Sequence, residues 1–173
     1  AAGQTQLEVP LTQAMLDDLI VNGGLVLTGC NYILTKITLK TEIPMDVTIW
    51  EGELVADDWA NQPYLLSDGG AELTSNGAKA GSKVSIYITP IEEAWKLEIV
   101  EGHWGPTYTS ICSVGNDTES GKFTEYDLAA NGGCYTFELT QEMYDNAIKT
   151  GGWGGVFVLN GDNVKVTKVT LLP

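Results

Sequence analysis

The sequence predicts an all-β protein, a β-sandwich of the jelly-roll kind with one short helix. Three observations carry that prediction. Twenty glycines and only 18% charged residues in 173 positions describe a turn-rich chain, whereas a helical bundle would hold more Ala, Glu and Lys. Apolar residues alternate with polar ones in strand-length runs. Clusters of Ser, Asn, Asp and Gly separate these runs. With 43% hydrophobic residues, a chain of this length can fill a core.

The elements follow in order. Trp50 opens the first strand ahead of Glu51 and Gly52, a position that favours core packing. Val84, Ile86 and Ile88 alternate with Ser85, Tyr87 and Thr89, and Leu97 and Ile99 alternate with Lys96, Glu98 and Val100. Both read as half-buried strands. Trp95 shares the parity of Leu97 and Ile99 and belongs with the core. Tyr135, Phe137 and Leu139 form a later strand with Thr136 and Glu138 on its other face. Thr140 is placed to cap a short helix, Met143 and Ala147 share one helical face, and Gly151 is expected to stop it. In the last strand Val164 and Val166 have one parity and Val169 and Leu171 the other. That switch predicts a β-bulge.

A duplication organises the chain. Leu11-Thr12-Gln13-Ala14-Met15 recurs as Leu139-Thr140-Gln141-Glu142-Met143, and Thr35-Lys36-Ile37-Thr38-Leu39 recurs as Thr167-Lys168-Val169-Thr170-Leu171. The later copy carries an insertion, Trp153-Gly154-Gly155-Val156. Each copy reads strand, short helix, strand, strand. Residues 1–42 are expected to be the C-terminal remnant of a preceding similar module, residues 43–46 a junction, and residues 47–173 one intact module. The competing reading places both copies in one pseudo-symmetric domain. A strand-exchanged dimer is a further expectation, because two copies of one closing segment can compete for a single slot or extend a sheet edge.

Charge and motifs exclude several functions. Nine Lys+Arg against 23 Asp+Glu leave a net charge of −14, which is wrong for nucleic acid or anionic lipid. No apolar run is long enough to cross a bilayer. One histidine, His103, and no Gly-x-Ser-x-Gly turn leave nucleophilic triads unsupported. Metal, phosphate-loop and paired-cysteine motifs are absent from the sequence. Cys112 and Cys134 are read either as a bridge or as plain thiols. No cofactor is expected; the acidic loops leave room for a structural calcium without defining its ligands. Carboxylate neighbours such as Glu51/Glu53 and Asp57/Asp58 arise by chance among so many acids, and the protein is not expected to be an enzyme.

Aromatics carry the positive signal. Five Trp and seven Tyr outnumber three Phe, and rings with a polar edge suit half-exposed surfaces. Trp104, His103 and Tyr108 lie in the Gly- and Pro-flanked run Gly102-His103-Trp104-Gly105-Pro106-Thr107-Tyr108. Trp153 lies in the insertion, as a binding indole or as a lid on the sandwich end. Trp59 has Asp57, Asp58, Asn61 and Gln62 beside it, groups that can bond hydroxyls; it could equally plug a turn. Tyr87, Lys96 and Glu98 fall opposite apolar faces and could line a concave sheet, although for Lys96 and Glu98 a solvated cross-strand pair is favoured over ligand contact. Stacking rings with amides and carboxylates at their rim is the chemistry that holds a sugar.

The runs Thr48-Ile49-Trp50-Glu51-Gly52-Glu53, Asp58-Trp59, Ala80-Gly81-Ser82-Lys83-Val84, Trp95-Lys96-Leu97, Gly102-His103-Trp104 and Gly152-Trp153-Gly154-Gly155-Val156-Phe157-Val158-Leu159-Asn160-Gly161-Asp162-Asn163 resemble the β-jelly-roll carbohydrate-binding modules appended to plant-cell-wall glycanases of gut and rumen bacteria. The resemblance spans residues 47–173, and residues 1–42 resemble the end of such a module. It implies a secreted, non-catalytic module that holds a glycanase on β-glucan such as xyloglucan, mixed-linkage glucan or cellulose chains. It also implies binding aromatics at Trp59, Trp104 and Trp153. The truncated first copy departs from the family pattern.

Overall fold

A computed structural model describes residues 45–57, 61–103, 110–118 and 121–173, together with Val9, Met15, Asp18, Val21, Gly23, Thr28, Ile33, Thr35, Lys36 and Ile37. The chain divides into two compact units, Ala1–Thr41 and Glu42–Pro173. In the first, Met15, Asp18 and Val21 are helical, where the repeat predicts its helix. Thr28, Ile33 and Thr35 to Ile37 lie outside any strand, contrary to the expectation from their copies. The cap expected at Thr12 falls outside the described residues.

The second unit is an all-β sandwich. Its elements run β1 (Val47–Ala56), β2 (Tyr64–Ser67), α1 (Ala71–Ser75), β3 (Lys83–Pro90), β4 (Lys96–Glu101), β5 (Ser110–Gly115), β6 (Thr124–Glu125), β7 (Cys134–Glu138), α2 (Gln141–Ala147), β8 (Gly155–Asp162) and β9 (Val164–Leu172). One sheet has the order β1-β9-β3-β7 and the other β2-β8-β4-β5-β6. Successive strands alternate between sheets through most of the chain, and all pairs are antiparallel except the short β5–β6 contact. That interleaving is the jelly roll, with β6 added at one edge.

Alternation sends the predicted residues inward. Val84, Ile86, Leu97, Ile99, Leu159, Val169 and Leu171 are completely buried, and Trp95 joins them. Phe137 of β7 meets Phe157 of β8 edge-on at 5.6 Å, a favoured aromatic geometry across the two sheets. Trp50 is half-buried against this core. The predicted bulge is present: Tyr87 pairs with Lys168 and Ile88 with Val166, so Thr167 is the extra residue. It turns Val164 and Val166 and then Val169 and Leu171 to the same interior.

Two local expectations change. The Thr140 hydroxyl accepts from the Met143 amide at 3.1 Å, as a cap should. The helix nevertheless ends at Ala147, with Ile148 as its C-cap, so Gly151, at φ 85°, turns the chain after the helix instead of stopping it. There is also a second short helix, α1, in place of the single one expected. Its five residues lie between Gly-rich turns and are too few to show a helical period; Leu73, completely buried, anchors it.

Cys112 and Cys134 are both free thiols, on strands of different sheets. Burial pushes the Cys112 thiol up to about 12. Its folded value exceeds the unfolded one near 9, so the stabilisation is whole below pH 9 and is lost as pH rises toward 12. Unfolding in urea should therefore show about 2 kcal/mol less stability at about pH 10.5 than at pH 8 from this group, and Cys112→Ala should remove that increment.

Close approach between β4 and β8 dictates glycine at Gly102, where an added Cβ would lie 1.9 Å from the Gly155 carbonyl oxygen. Gly102→Ala is expected to lower stability by about 3 kcal/mol in the same assay.

Candidate functional site

The outer face of the five-stranded sheet is assembled by register. Leu97 and Ile99 enter the core, so Lys96, Glu98 and Val100 point to the other side of β4. Glu98 lies opposite Asn160 of β8 and Ser113 of β5. One row beyond, Val100 lies opposite Val158, which lies opposite Tyr64 of β2. The face thus carries a polar row, Asn160-Glu98-Ser113, beside an apolar one that ends in Tyr64.

Glu98 is the centre of the polar row. Its Oε2 accepts from Lys122 Nζ at 2.8 Å and from Asn160 Nδ2 at 3.4 Å, and its Oε1 accepts from Ser113 Oγ at 3.4 Å. Glu98 is only 2% exposed, so the expectation of a solvated pair with Lys96 is corrected. Residues two apart on a strand share a face without forming a cross-strand pair. Lys96 instead meets Asp117 at 2.6 Å. Asp117 and Lys122 both lie between β5 and β6, so this connection supplies one opposite charge to each.

Tyr64 stays 47% exposed. Beside its ring lies Gly154, where a Cβ would be 3.6 Å from it, and the chain just before, at Trp153, is tied to β4 by the Trp153 amide donating to the Gly102 carbonyl at 2.8 Å. Gly152 would carry a Cβ 3.2 Å from His103 Cα. Tyr64, Trp153 and His103 are therefore gathered at one end of the five-stranded sheet. Trp153 and His103 are both half-buried, and His103 Nδ1 is buried without a hydrogen-bond partner. The inserted residues do not all form a loop: Gly155 and Val156 begin β8.

Tyr87 lies elsewhere. It points outward from the four-stranded sheet, with Lys168 Nζ 3.7 Å from its ring centroid. Tyr87 and Glu98 thus occupy opposite faces of the sandwich, and a single concave sheet does not hold both. Trp59, Trp104 and Tyr108 fall outside the described residues. Tyr64 and Asn160 were not singled out by the sequence. A four-residue strand shows too little alternation to orient Tyr64, and Asn160 reads simply as part of the repeat. Among the described residues no group of three or more His, Cys, Asp or Glu could hold a metal, so the calcium expectation gains no ligands there. No helix among them is long and apolar enough to cross a membrane.

No family model matches the chain, and no curated protein matches it. Among solved structures it is similar to SGBP-B of the Bacteroides ovatus mixed-linkage glucan utilization locus, solved in complex with a mixed-linkage heptasaccharide. The identity is 24% and the TM-score 0.45, over 73% of this chain and 29% of that one. This chain therefore spans less than a third of that protein's length.

The Glu98 site makes its own stability prediction. Lys122→Met removes the nearest ammonium from a buried carboxylate and should cost about 1–2 kcal/mol, since the Lys122 side chain is itself half exposed. Urea denaturation of the variant at neutral pH measures it.

Proposed function

We propose that residues 47–173 are a non-catalytic carbohydrate-binding module for β-glucan-type polysaccharide such as xyloglucan, mixed-linkage glucan or cellulose chains. It works outside the cell as part of a larger protein, a glycanase being the implied companion. The observation that carries this is the outer face of the five-stranded sheet, where the half-open Tyr64 ring adjoins the row Asn160-Glu98-Ser113. A sugar ring offers an apolar C–H face to such an aromatic and hydroxyls to amide and carboxylate groups. Apolar contact supplies affinity, at about 25 cal/mol per Å², and the accessible polar groups at the edge of the row, Ser113 and Lys122, supply orientation.

The net charge of −14 favours a neutral polymer over a polyuronate. Glycoside hydrolysis uses two carboxyl groups flanking the scissile bond. Glu98, the carboxylate at the centre of this face, is buried and held by Lys122, Ser113 and Asn160, which suits a carboxylate that orders this face more than an acid that donates a proton. A second reading, a structural module without a sugar ligand, draws on one observation: Glu98, Val100, Val158 and Asn160 are all at most 5% exposed, so much of this face is covered.

Affinity gel electrophoresis against xyloglucan, barley β-glucan, xylan and mannan separates the readings. Retardation by the glucans without release of reducing sugar is expected; unchanged mobility on all four supports the structural module instead. Tyr64→Ala and Trp153→Ala should each weaken glucan binding about tenfold, the loss from about 60 Å² of apolar contact. Titration by tryptophan fluorescence or calorimetry measures that loss.

A further inference from the structure

Glu98 gathers two nitrogens of different chemistry on one oxygen. Its Oε2 accepts from the Lys122 ammonium at 2.8 Å and from the Asn160 side-chain amide at 3.4 Å. Register brings them together: Asn160 of β8 is the direct ladder partner of Glu98 of β4, and Lys122 reaches over from the connection ahead of β6. Glu98 is 2% exposed and Asn160 5%. Their neighbours are apolar. Val100 and Val158 make up the next row, both 1% exposed, and the buried Phe123 ring has its centroid 5.7 Å from Lys122 Nζ. An amine, a carboxamide and a carboxylate shared between them, with water largely shut out, are the reactants and the acid–base catalyst of a transamidation.

Other lysines are placed differently. Lys165 meets Glu53 at the surface, where the Glu53 side chain is 60% exposed. Lys149 donates to Asn146 Oδ1 while Asn146 Nδ2 donates to Glu101. Amine and carboxylate therefore bond opposite ends of that amide, and no proton passes directly from one to the other. At Glu98 a single carboxylate oxygen touches both the nucleophile and the leaving group.

We propose that the folded chain joins Lys122 Nζ to Asn160 Cγ in an isopeptide bond, with Glu98 as the proton relay. Oε2 takes a proton from the ammonium along their hydrogen bond and leaves the amine lone pair free. The flexible four-carbon stem of Lys122 lets Nζ swing onto Cγ, and the fold holds the partners close enough for attack. The Nζ–Cγ bond forms and the Cγ–Nδ2 bond breaks. Both protons shed by the lysine nitrogen end on Nδ2, the first of them through Oε2. One ammonium and one carboxamide become a secondary amide and a free ammonium ion, with no change of oxidation state and the Glu98 carboxylate restored. The relayed proton travels only between Lys122 and Asn160, so the step is distinct from protonating a glycosidic oxygen. The link staples the β5–β6 connection to β8 across β4. The Lys122→Met comparison above refers to the chain before this link forms.

Intact-mass spectrometry of the denatured full-length chain, sampled during incubation of the folded protein at neutral pH, is expected to show a loss of one ammonia. Peptide mapping should find the Lys122 and Asn160 peptides joined. Glu98→Gln, close in shape, should keep its full mass over the same incubation, with circular dichroism confirming that it has folded. Asn160→Asp should lose water in place of ammonia, since the same attack then falls on a carboxyl carbon; it reports the site even where Glu98→Gln does not fold. A folded wild-type chain that keeps its full mass overturns the proposal. So does a deficit that maps to Lys149 and Asn146, or one that persists in folded Glu98→Gln.

Discussion

The pairing of β8 with β4 is the constraint on which the rest of the module depends. It sets Leu159 beside Ile99 in the interior and, one residue on, Asn160 beside Glu98 outside. A slip by one residue would turn both rows over, carrying the polar row into the core. The same register presses Gly102 against Gly155 and ties Trp153 to the end of β4. Core, polar face and aromatic corner are thus consequences of one ladder.

Buried charge shows how that face is tolerated. A carboxylate taken out of water needs partners for both oxygens, or desolvation would outweigh the gain in packing. Glu98 finds them on three separate strands or connections: Ser113, Asn160 and Lys122. None is near it in sequence. On the opposite sheet charge is handled differently, with Lys165 reaching Glu53 at the surface and Lys168 lying over Tyr87, contacts that solvent screens and that contribute little to stability.

Much of the sandwich could be read from local pattern. Period-two alternation located β3, β4 and β7, and the parity switch between Val166 and Val169 signalled the bulge that the register puts at Thr167, because both signals are carried by neighbouring residues. The site was less legible. Alternation tells which side of a strand a residue takes but not which sheet the strand joins, so Tyr87 and Glu98 looked like neighbours although they face opposite ways. Glu98 looked solvated because its ion-pair partner is 24 residues away. The α1 helix and Tyr64 sit in segments too short to display any period. Gly161 was visible as a repeated glycine, but the reason for it required the strand it touches.

One further consequence follows from the first and last strands. Val47 is the ladder partner of Leu171, so the sandwich is entered and left at adjacent points of one sheet, about 5 Å apart. A fold whose two ends meet can be spliced into a surface loop of a host domain without prying that loop apart. The polar row on the far sheet would then face away from the splice, free of the scaffold that carries it.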